Sequence, residues 1–424
     1  MKLLIAPWGN PFGWNEVTYR FGEVESVSKT SLKVLLEALN PEYIVILVAD
    51  SLVDKDSLRE NTNYAEAKAA VRDKIFNFLK DCHIPLDKTK IDILVLPGTG
   101  YFKNGVFEGE VLDYYYRLLY ELARLLNESD FKEVHLDLTH GLNFMPVLTY
   151  RAVKEILQVV SFFAPIKFVA YNADPFVSGG PETVLTLHVV EEIEELPRFP
   201  ALSPYEVNVS SRFFEKLVVD ENGQKLKVVG KPRLKEILTF LGGMVYGLPL
   251  MLTTFFVPAE EVFSHLKEAL NIYEKEIKIR KEGGRLRLTR RARLTPLFRV
   301  LTLVWLLLKF FEKENLLETR QEEIFLHKLE SIAKKVFWKN NIFRSILGTE
   351  MHNLKSIKGF PFDWKLLAEI EGRKPDSPNP RNFFAHGGLE KNAVELRQTE
   401  EGLKIRYSKE KKNNVQNFIL KSLR

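Results

Sequence analysis

Five apolar runs set the course of the first half of the chain: Leu3–Ala6, Tyr43–Ala49, Ile91–Leu96, Val134–Leu138 and Ile166–Tyr171. Each is nearly continuous in hydrophobic residues, as a strand buried on both faces must be. Helical periodicity fills the intervals, over Ser31–Leu39, Tyr64–Cys82, Gly109–Leu126 and Asn143–Val160. Pro41, Pro85 and Pro165 punctuate the returns to strand. Strands of this kind bury both faces only when helices cover a parallel sheet on either side. The predicted fold of residues 1–192 is therefore an α/β doubly wound, Rossmann-like domain, with Val184–Val190 as its last strand.

The pattern then changes. Acidic Glu191–Glu195 and Pro197, Pro200 and Pro204 mark a linker, followed by Phe213–Val219 and Lys225–Val229 around Asn222-Gly223, a strong hairpin signal. Residues 193–230 read as linker and β-hairpin, and residues 231–424 as a mainly α-helical domain. Its predicted helices are Leu234–Val257, Ala259–Arg280, Pro296–Glu314, Glu322–Trp338 and Asn341–Leu354. A late hairpin, Ala393–Arg397 with Leu403–Tyr407, precedes a terminal helix at Asn414–Leu423. Within the first of these, Ile237–Val257 runs 21 residues without a charge, long enough to cross a bilayer. Gly242, Gly243, Gly247 and Pro249 interrupt it, so it reads as a buried or interface helix and no membrane partner is expected.

Composition excludes several classes. The single cysteine, Cys82, rules out an intrachain disulfide framework and fits a reducing cytoplasm. No cysteine or histidine cluster has zinc-ligand spacing, so no metal is expected. The opening Met1-Lys2-Leu3-Leu4-Ile5-Ala6-Pro7-Trp8 is too short in its apolar part for a signal peptide and reads as a first strand. With a net charge of only +5, basic character must be local if it matters.

Ligands of open parallel sheets sit beyond the carboxyl ends of the strands. Three such ends here carry glycines, amides and aromatic rings. Asn10 and Trp14 follow the first strand, Gly98 and Thr99 follow Ile91–Leu96, and Thr139, His140, Gly141 and Asn143 follow Val134–Leu138. Glycine admits close backbone approach, Thr and Asn bond bases or sugars, and aromatic faces stack on bases. A nicotinamide cofactor is disfavoured, because Lys103 stands where the dinucleotide fingerprint needs its third glycine. Jointly the three loops point to a nucleotide-like ligand. Singly, each is compatible with ordinary turn chemistry.

Near the C-terminus the chain reads Asn379-Pro380-Arg381-Asn382-Phe383-Phe384-Ala385-His386-Gly387-Gly388. Asn caps a helix, Pro suits its first position and the glycine pair stops it. Asn382 and His386, four apart, face the same way, with Arg381 at the positive end of the helix. Arginine and amide can hold phosphoryl charge while imidazole moves protons, a set suited to cutting a phosphate ester without a metal. An Arg and His at such spacing arise about once by chance, and Arg320 with His327 is a second case, on an ordinary amphipathic helix. Spacing alone leaves a structural Arg and His equally open. His352 and Tyr407 are further titratable residues without an assigned role.

At these residues a resemblance enters. Asp137-Leu138-Thr139-His140-Gly141-Leu142-Asn143 resembles the D-x-T-H-G-x-N signature of CARF sensor domains, as do the Trp8-Gly9-Asn10-Pro11 and Gly98-Thr99-Gly100-Tyr101 loops. Arg381-Asn382-Phe383-Phe384-Ala385-His386 is similar to the R-N-x-x-x-H motif of HEPN ribonucleases. In this order the two resemble the CARF–HEPN ancillary ribonucleases of type III CRISPR systems. That resemblance implies a CARF-type sensor and a HEPN-type nuclease in a cytoplasmic homodimer. It implies no cofactor, with cyclic oligoadenylate, often the tetra-adenylate, as activator. Asn10, Trp14, Gly98, Thr99, Thr139, His140, Gly141 and Asn143 would line the ligand pocket. Arg381, Asn382 and His386 would cleave single-stranded RNA without metal, leaving a cyclic phosphate and a 5′-OH.

One basic run remains, Arg280 to Arg293. Its Arg285, Arg287, Arg290, Arg291 and Arg293 read equally as a solvated loop between helices or as a phosphate-backbone track for RNA. The rival to the nuclease reading is a ligand-responsive nucleic-acid-binding regulator without cleavage. A third reading gives the sensor a slow hydrolysis of its own ligand, assisted by Thr139 or His140.

Overall fold

The structure, a computed structural model, describes residues 1–54, 56, 62–84, 89–177, 184–194, 216–226, 233–357 and 359–423. The first stretch of chain forms β1 (Lys2–Trp8), β2 (Val17–Phe21), β3 (Val24–Ser28), α1 (Leu32–Leu39), β4 (Tyr43–Ala49), α2 (Tyr64–Asp81) and β5 (Lys90–Leu96). It continues through β6 (Gly100–Phe102), β7 (Gly105–Glu108), α3 (Val111–Glu128), β8 (Glu133–Asp137), α4 (Phe144–Val160), β9 (Lys167–Ala173) and β10 (Val184–Ile193). These strands build an eight-stranded sheet in the order β3-β2-β10-β9-β8-β1-β4-β5. From β9 to β5 every neighbour is parallel, as the doubly wound pattern requires. Leu4, Ile44, Ile46 and Leu136 are fully buried in its middle strands.

Two strands of this eight-stranded sheet have no counterpart among the apolar runs. β2 and β3 pair antiparallel through Gly22, whose φ of +59° suits the tight turn. They are half-exposed at the sheet's margin, so they alternate rather than run continuously apolar.

After β11 (Val218–Asp220) come α5 (Leu234–Tyr246), α6 (Pro249–Thr254), α7 (Ala259–Lys275), β12 (Ile277–Glu282), β13 (Arg285–Arg290), β14 (Ala292–Leu294) and α8 (Pro296–Lys313). Then follow β15 (Glu323–Phe325), α9 (Leu326–Phe337), α10 (Asn341–Ser356), β16 (Lys365–Leu366), α11 (Leu367–Ile370), α12 (Pro380–Ala385), β17 (Val394–Thr399), β18 (Gly402–Tyr407) and α13 (Lys412–Ser422). The chain makes two compact units. One comprises Met1–Arg198, Lys216–Val228 and Lys267–Arg299; the other comprises Phe199–Glu215, Val229–Leu266 and Val300–Arg424.

This division corrects the single boundary near residue 230. Lys267–Arg299, read as helix end and basic loop, belongs to the first unit. Its β12 and β13 form an antiparallel hairpin, and β13 runs parallel to β7. The cause was legible in Ile277, Ile279, Leu286 and Leu288, which alternate with charged residues about Gly283-Gly284. Both glycines have positive φ, as a two-residue hairpin turn needs. The turn at Asn222-Gly223 is also present, with Gly223 N–H donating to the Asp220 carbonyl. Its first strand, however, pairs chiefly with β14, and 227–232 lie outside the described residues.

In the second unit, Ile237–Val257 is broken at Gly247, which takes φ +68° and lets Pro249 open a second short helix. Among the described residues no helix is long and apolar enough to cross a membrane. Gly242 leaves room for Ile419 of α13, since a Cβ there would lie 2.2 Å from its Cγ2. A four-stranded sheet, β15-β18-β17-β16, completes this unit beside the predicted helices.

Candidate functional site

The first unit carries a cavity of about 690 Å³ at the carboxyl ends of β1, β4 and β5. It brings together Asn10, Gly98, Thr99 and Asn143 of the eight predicted ligand residues, along with Trp8, Lys74, Lys103 and Arg285. Asn10 accepts from the Phe12 N–H, which shapes its loop. Asn143 sits at φ +51° before α4 without using its side chain as a cap. Its amide has no hydrogen-bond partner among the described residues at the cavity wall. Trp8 is fully buried, and its indole Nε1 has no acceptor among the described residues. A buried donor of this kind is costly unless something accepts from it.

Trp14, Thr139, His140 and Gly141 are not among the lining residues and instead hold the loops in place. Thr139 donates its N–H to Asp137 Oδ1 at 3.0 Å and accepts at Oγ1 from the Ala173 N–H. Asp137 also accepts from Ser31 Oγ at 2.5 Å. The His140 carbonyl accepts from the Gly9 N–H at 2.8 Å, tying the third strand-end loop to the first. Its ring stacks on Trp14 at 4.0 Å and accepts the Ser31 N–H at Nε2, 3.1 Å away. An Nε2 that accepts places the ring proton on Nδ1. Burial pushes the His140 imidazole down to about 4, only partly opposed by Asp137, so the ring is neutral near pH 7. Gly141 packs so tightly that a Cβ would come within 2.3 Å of Pro146 Cγ.

The Gly98 loop is fastened from another direction. Asp50 Oδ1 accepts the Gly98 N–H at 2.9 Å, and Asp50 Oδ2 accepts from Tyr64 and from Arg290. Arg290 also donates to the Gly98 carbonyl at 2.9 Å. Its side chain is fully buried, which corrects its placement on a solvated RNA track. The neighbouring arginines are engaged too: Arg287 pairs with Glu108 and Glu282, and Arg293 pairs with Glu110. Arg291 is exposed, and Arg285 faces the cavity.

In the second unit the Arg381 motif folds as its caps predict. Asn379 accepts the Asn382 N–H at 3.2 Å, Pro380 opens α12, and Gly387 and Gly388 take positive φ to end it. At six residues the helix is too short to contribute much dipole, so Arg381 itself supplies the positive charge. Phe383 is fully buried against Tyr407 and Phe418 and anchors the turn. Arg381, Asn382 and His386 all remain exposed. His386 Nδ1 donates to Glu350 Oε1 of α10 at 2.9 Å, which leaves Nε2 as the ring nitrogen without a hydrogen bond among the described residues. No spacing rule pointed to Glu350, which lies 36 residues earlier. His352 is exposed on the same helix, whereas Tyr407 is buried and its hydroxyl is pushed far up by burial. Among the described residues, no group of three or more His, Cys, Asp or Glu side chains is arranged to hold a metal.

Comparison with known proteins identifies both parts of the chain. Residues 3–175 match the family described as CRISPR system endoribonuclease Csx1, CARF domain, and residues 340–410 match CRISPR system endoribonuclease Csx1, HEPN domain. A CARF domain followed by a HEPN domain defines the class, the CARF–HEPN ribonucleases of CRISPR systems. The chain belongs to the Csx1 family of CRISPR system endoribonucleases. It is 32% identical to the CRISPR system endoribonuclease Csx1 of Methanocaldococcus jannaschii, over 99% of this chain and 94% of that one. Enterococcus italicus Csm6, solved with cyclic hexa-2'-fluoro-hexa-dAMP, aligns over 100% of this chain and 94% of its own. At a TM-score of 0.26 and 11% identity, that likeness carries no argument.

Proposed function

We propose that this endoribonuclease cuts single-stranded RNA without a metal and is switched on by a cyclic oligoadenylate, the tetra-adenylate, held in the strand-end cavity. The observation that carries the cleavage reading is one exposed helical turn bearing Arg381, Asn382 and His386, with Glu350 fixing the tautomer of the histidine. An unprotonated Nε2 can take the proton of the substrate's 2′-OH as the 2′-oxygen bonds to phosphorus. A protonated Nε2 can give a proton to the 5′-oxygen as its bond to phosphorus breaks. Arg381 and Asn382 hold the charge that builds on the phosphoryl oxygens. The products are a cyclic phosphate and a 5′-OH.

A homodimer supplies both states of the histidine around one scissile phosphate, since each chain carries one His386. For the activator, the support is a cavity walled by the Asn143 amide and the Trp8 indole N–H, both without a partner among the described residues, and by glycines that admit a close ligand. Thr139 and His140 are occupied within the fold, so the geometry does not favour ring hydrolysis by them.

The test is RNA incubated in EDTA with and without cyclic tetra-adenylate, using wild type and His386→Ala. Cleavage by wild type in EDTA only with the ring, and none by the variant, is expected. Loss of wild-type cleavage in EDTA, or full cleavage by the variant, would sink the mechanism.

A further inference from the structure

The cavity is closed on one side by a piece of chain far from its other walls. Gly283, Gly284 and Arg285, the tip of the β12–β13 hairpin, line it together with the Gly98 loop. The hairpin is held rigidly in this place. β13 pairs with β7 from Leu286 opposite Gly105 to Thr289 opposite Glu108, and Gly105 allows an approach that a Cβ, 2.1 Å from the Leu286 carbonyl oxygen, would forbid. At its base Arg290 is buried against Asp50 and the Gly98 carbonyl, 192 residues away in sequence. The tip is tight, because Glu282 pairs with Arg285 directly across the glycine turn.

Charge singles out one residue of this hairpin. Arg287, Arg290 and Arg293 each meet a carboxylate, whereas Arg285 meets none among the described residues. Lys103, also on the cavity wall, meets none either. The wall's third cation, Lys74, is paired with Asp54 at 2.6 Å. Asp56 is the other carboxylate of the lining, so the three cations outnumber the two acids. An unpaired guanidinium on a fixed turn is suited to an oxyanion, which it can meet with two parallel N–H donors.

We infer that Arg285, assisted by Lys103, forms a phosphate subsite of this cavity. The hairpin arginine thus serves the regulatory ligand rather than the RNA substrate. The inference rests on the activator reading for the identity of the ligand, but the subsite itself is defined for any phosphodiester or phosphate.

Full-length wild type, Arg285→Gln, Lys103→Gln and Lys278→Gln are titrated with cyclic tetra-adenylate and cyclic hexa-adenylate. Their melting is also followed with inorganic pyrophosphate. Lys278 is exposed on the same hairpin away from the cavity and controls for net charge. Losing a charge-assisted bond at Arg285 should weaken ring binding about tenfold. Lys103→Gln should weaken it less, and Lys278→Gln should not change it. Pyrophosphate should stabilise wild type and not Arg285→Gln. Equal ring affinity in wild type and Arg285→Gln overturns the subsite and leaves the activator reading intact. If wild type binds neither ring, the activator reading fails and pyrophosphate decides. Stabilisation that Arg285→Gln loses sustains the subsite, and stabilisation that is absent or retained ends it.

Discussion

Glu350 Oε1 accepts the Nδ1–H of His386 at 2.9 Å and so leaves Nε2 as the ring nitrogen free to accept or give a proton. Removing the imidazole should cost about 10²- to 10⁴-fold in cleavage rate. Glu350→Gln offers the same shape with an ambiguous partner, since an amide can also donate and turn the ring. We expect kcat to fall on the order of tenfold with KM nearly unchanged, as for other partners that orient a histidine. Single-turnover cleavage assays would read both, and a Glu350→Gln enzyme with wild-type kcat would remove Glu350 from the mechanism.

Gly387 ends the helix that carries the site. It takes φ +58°, and a Cβ on it would lie 2.6 Å from Leu347 Cδ2 on α10, the helix that bears Glu350. Gly387→Ala should therefore destabilise the protein by about 1–2 kcal/mol from backbone strain and displace His386 from Glu350. Urea unfolding together with the cleavage rate tests this. A stable variant with full activity contradicts it.

The pair Asp50–Arg290 is buried on both sides, with side-chain exposures of 1% and 0%. Arg290→Met leaves the carboxylate without its cation and should cost about 3–5 kcal/mol. Adding Asp50→Asn should restore part of that loss, because the uncompensated charge is gone. Chemical denaturation of the single and double variants would measure the coupling. Additive losses would mean that the charge pair is not the reason.

Asp113 is fully buried, accepting from the Leu294 N–H and the Tyr273 hydroxyl, and burial pushes its carboxyl up to about 7. The folded chain thus holds a proton that the unfolded chain releases near 4. Raising the pH from about 4 to about 7 should cost stability through this residue, the reverse of the usual carboxylate. Asp113→Asn keeps the acceptor for Leu294 and removes the titration. Its stability relative to wild type should rise across that interval in melts at successive pH values. A constant difference would refute the assignment.

The parallel sheet was legible because residues such as Ile44–Val48 are buried on both faces and must all be apolar. The helix carrying Arg381 was legible because Asn379, Pro380 and the glycine pair act locally. The rest depended on distant partners. Glu350 looks like any helical glutamate until the fold sets it against His386. His140 looks like a ligand contact until Trp14 and Ser31 enclose it. The basic run reads equally as a solvated loop or an RNA track because its dense charge hides the alternation of Leu286 and Leu288 beneath it.

The buried arginine at the base of the hairpin has a consequence for how the protein is made. Asp50, Tyr64 and Gly98 leave the ribosome early, yet the group that neutralises Asp50 arrives only at position 290. Until then the first unit lacks β12, β13 and β14, and the β7 edge stands open beside a lone charge. N-terminal units commonly fold while the rest of the chain is still being synthesised. Here the sheet can form early, but the cavity wall waits for Arg285 and Arg290, after α5, α6 and α7 have been translated. A fragment cut at residue 192 would be frozen in that unfinished state. The strand-end cavity is completed only once synthesis of the helical half is well under way.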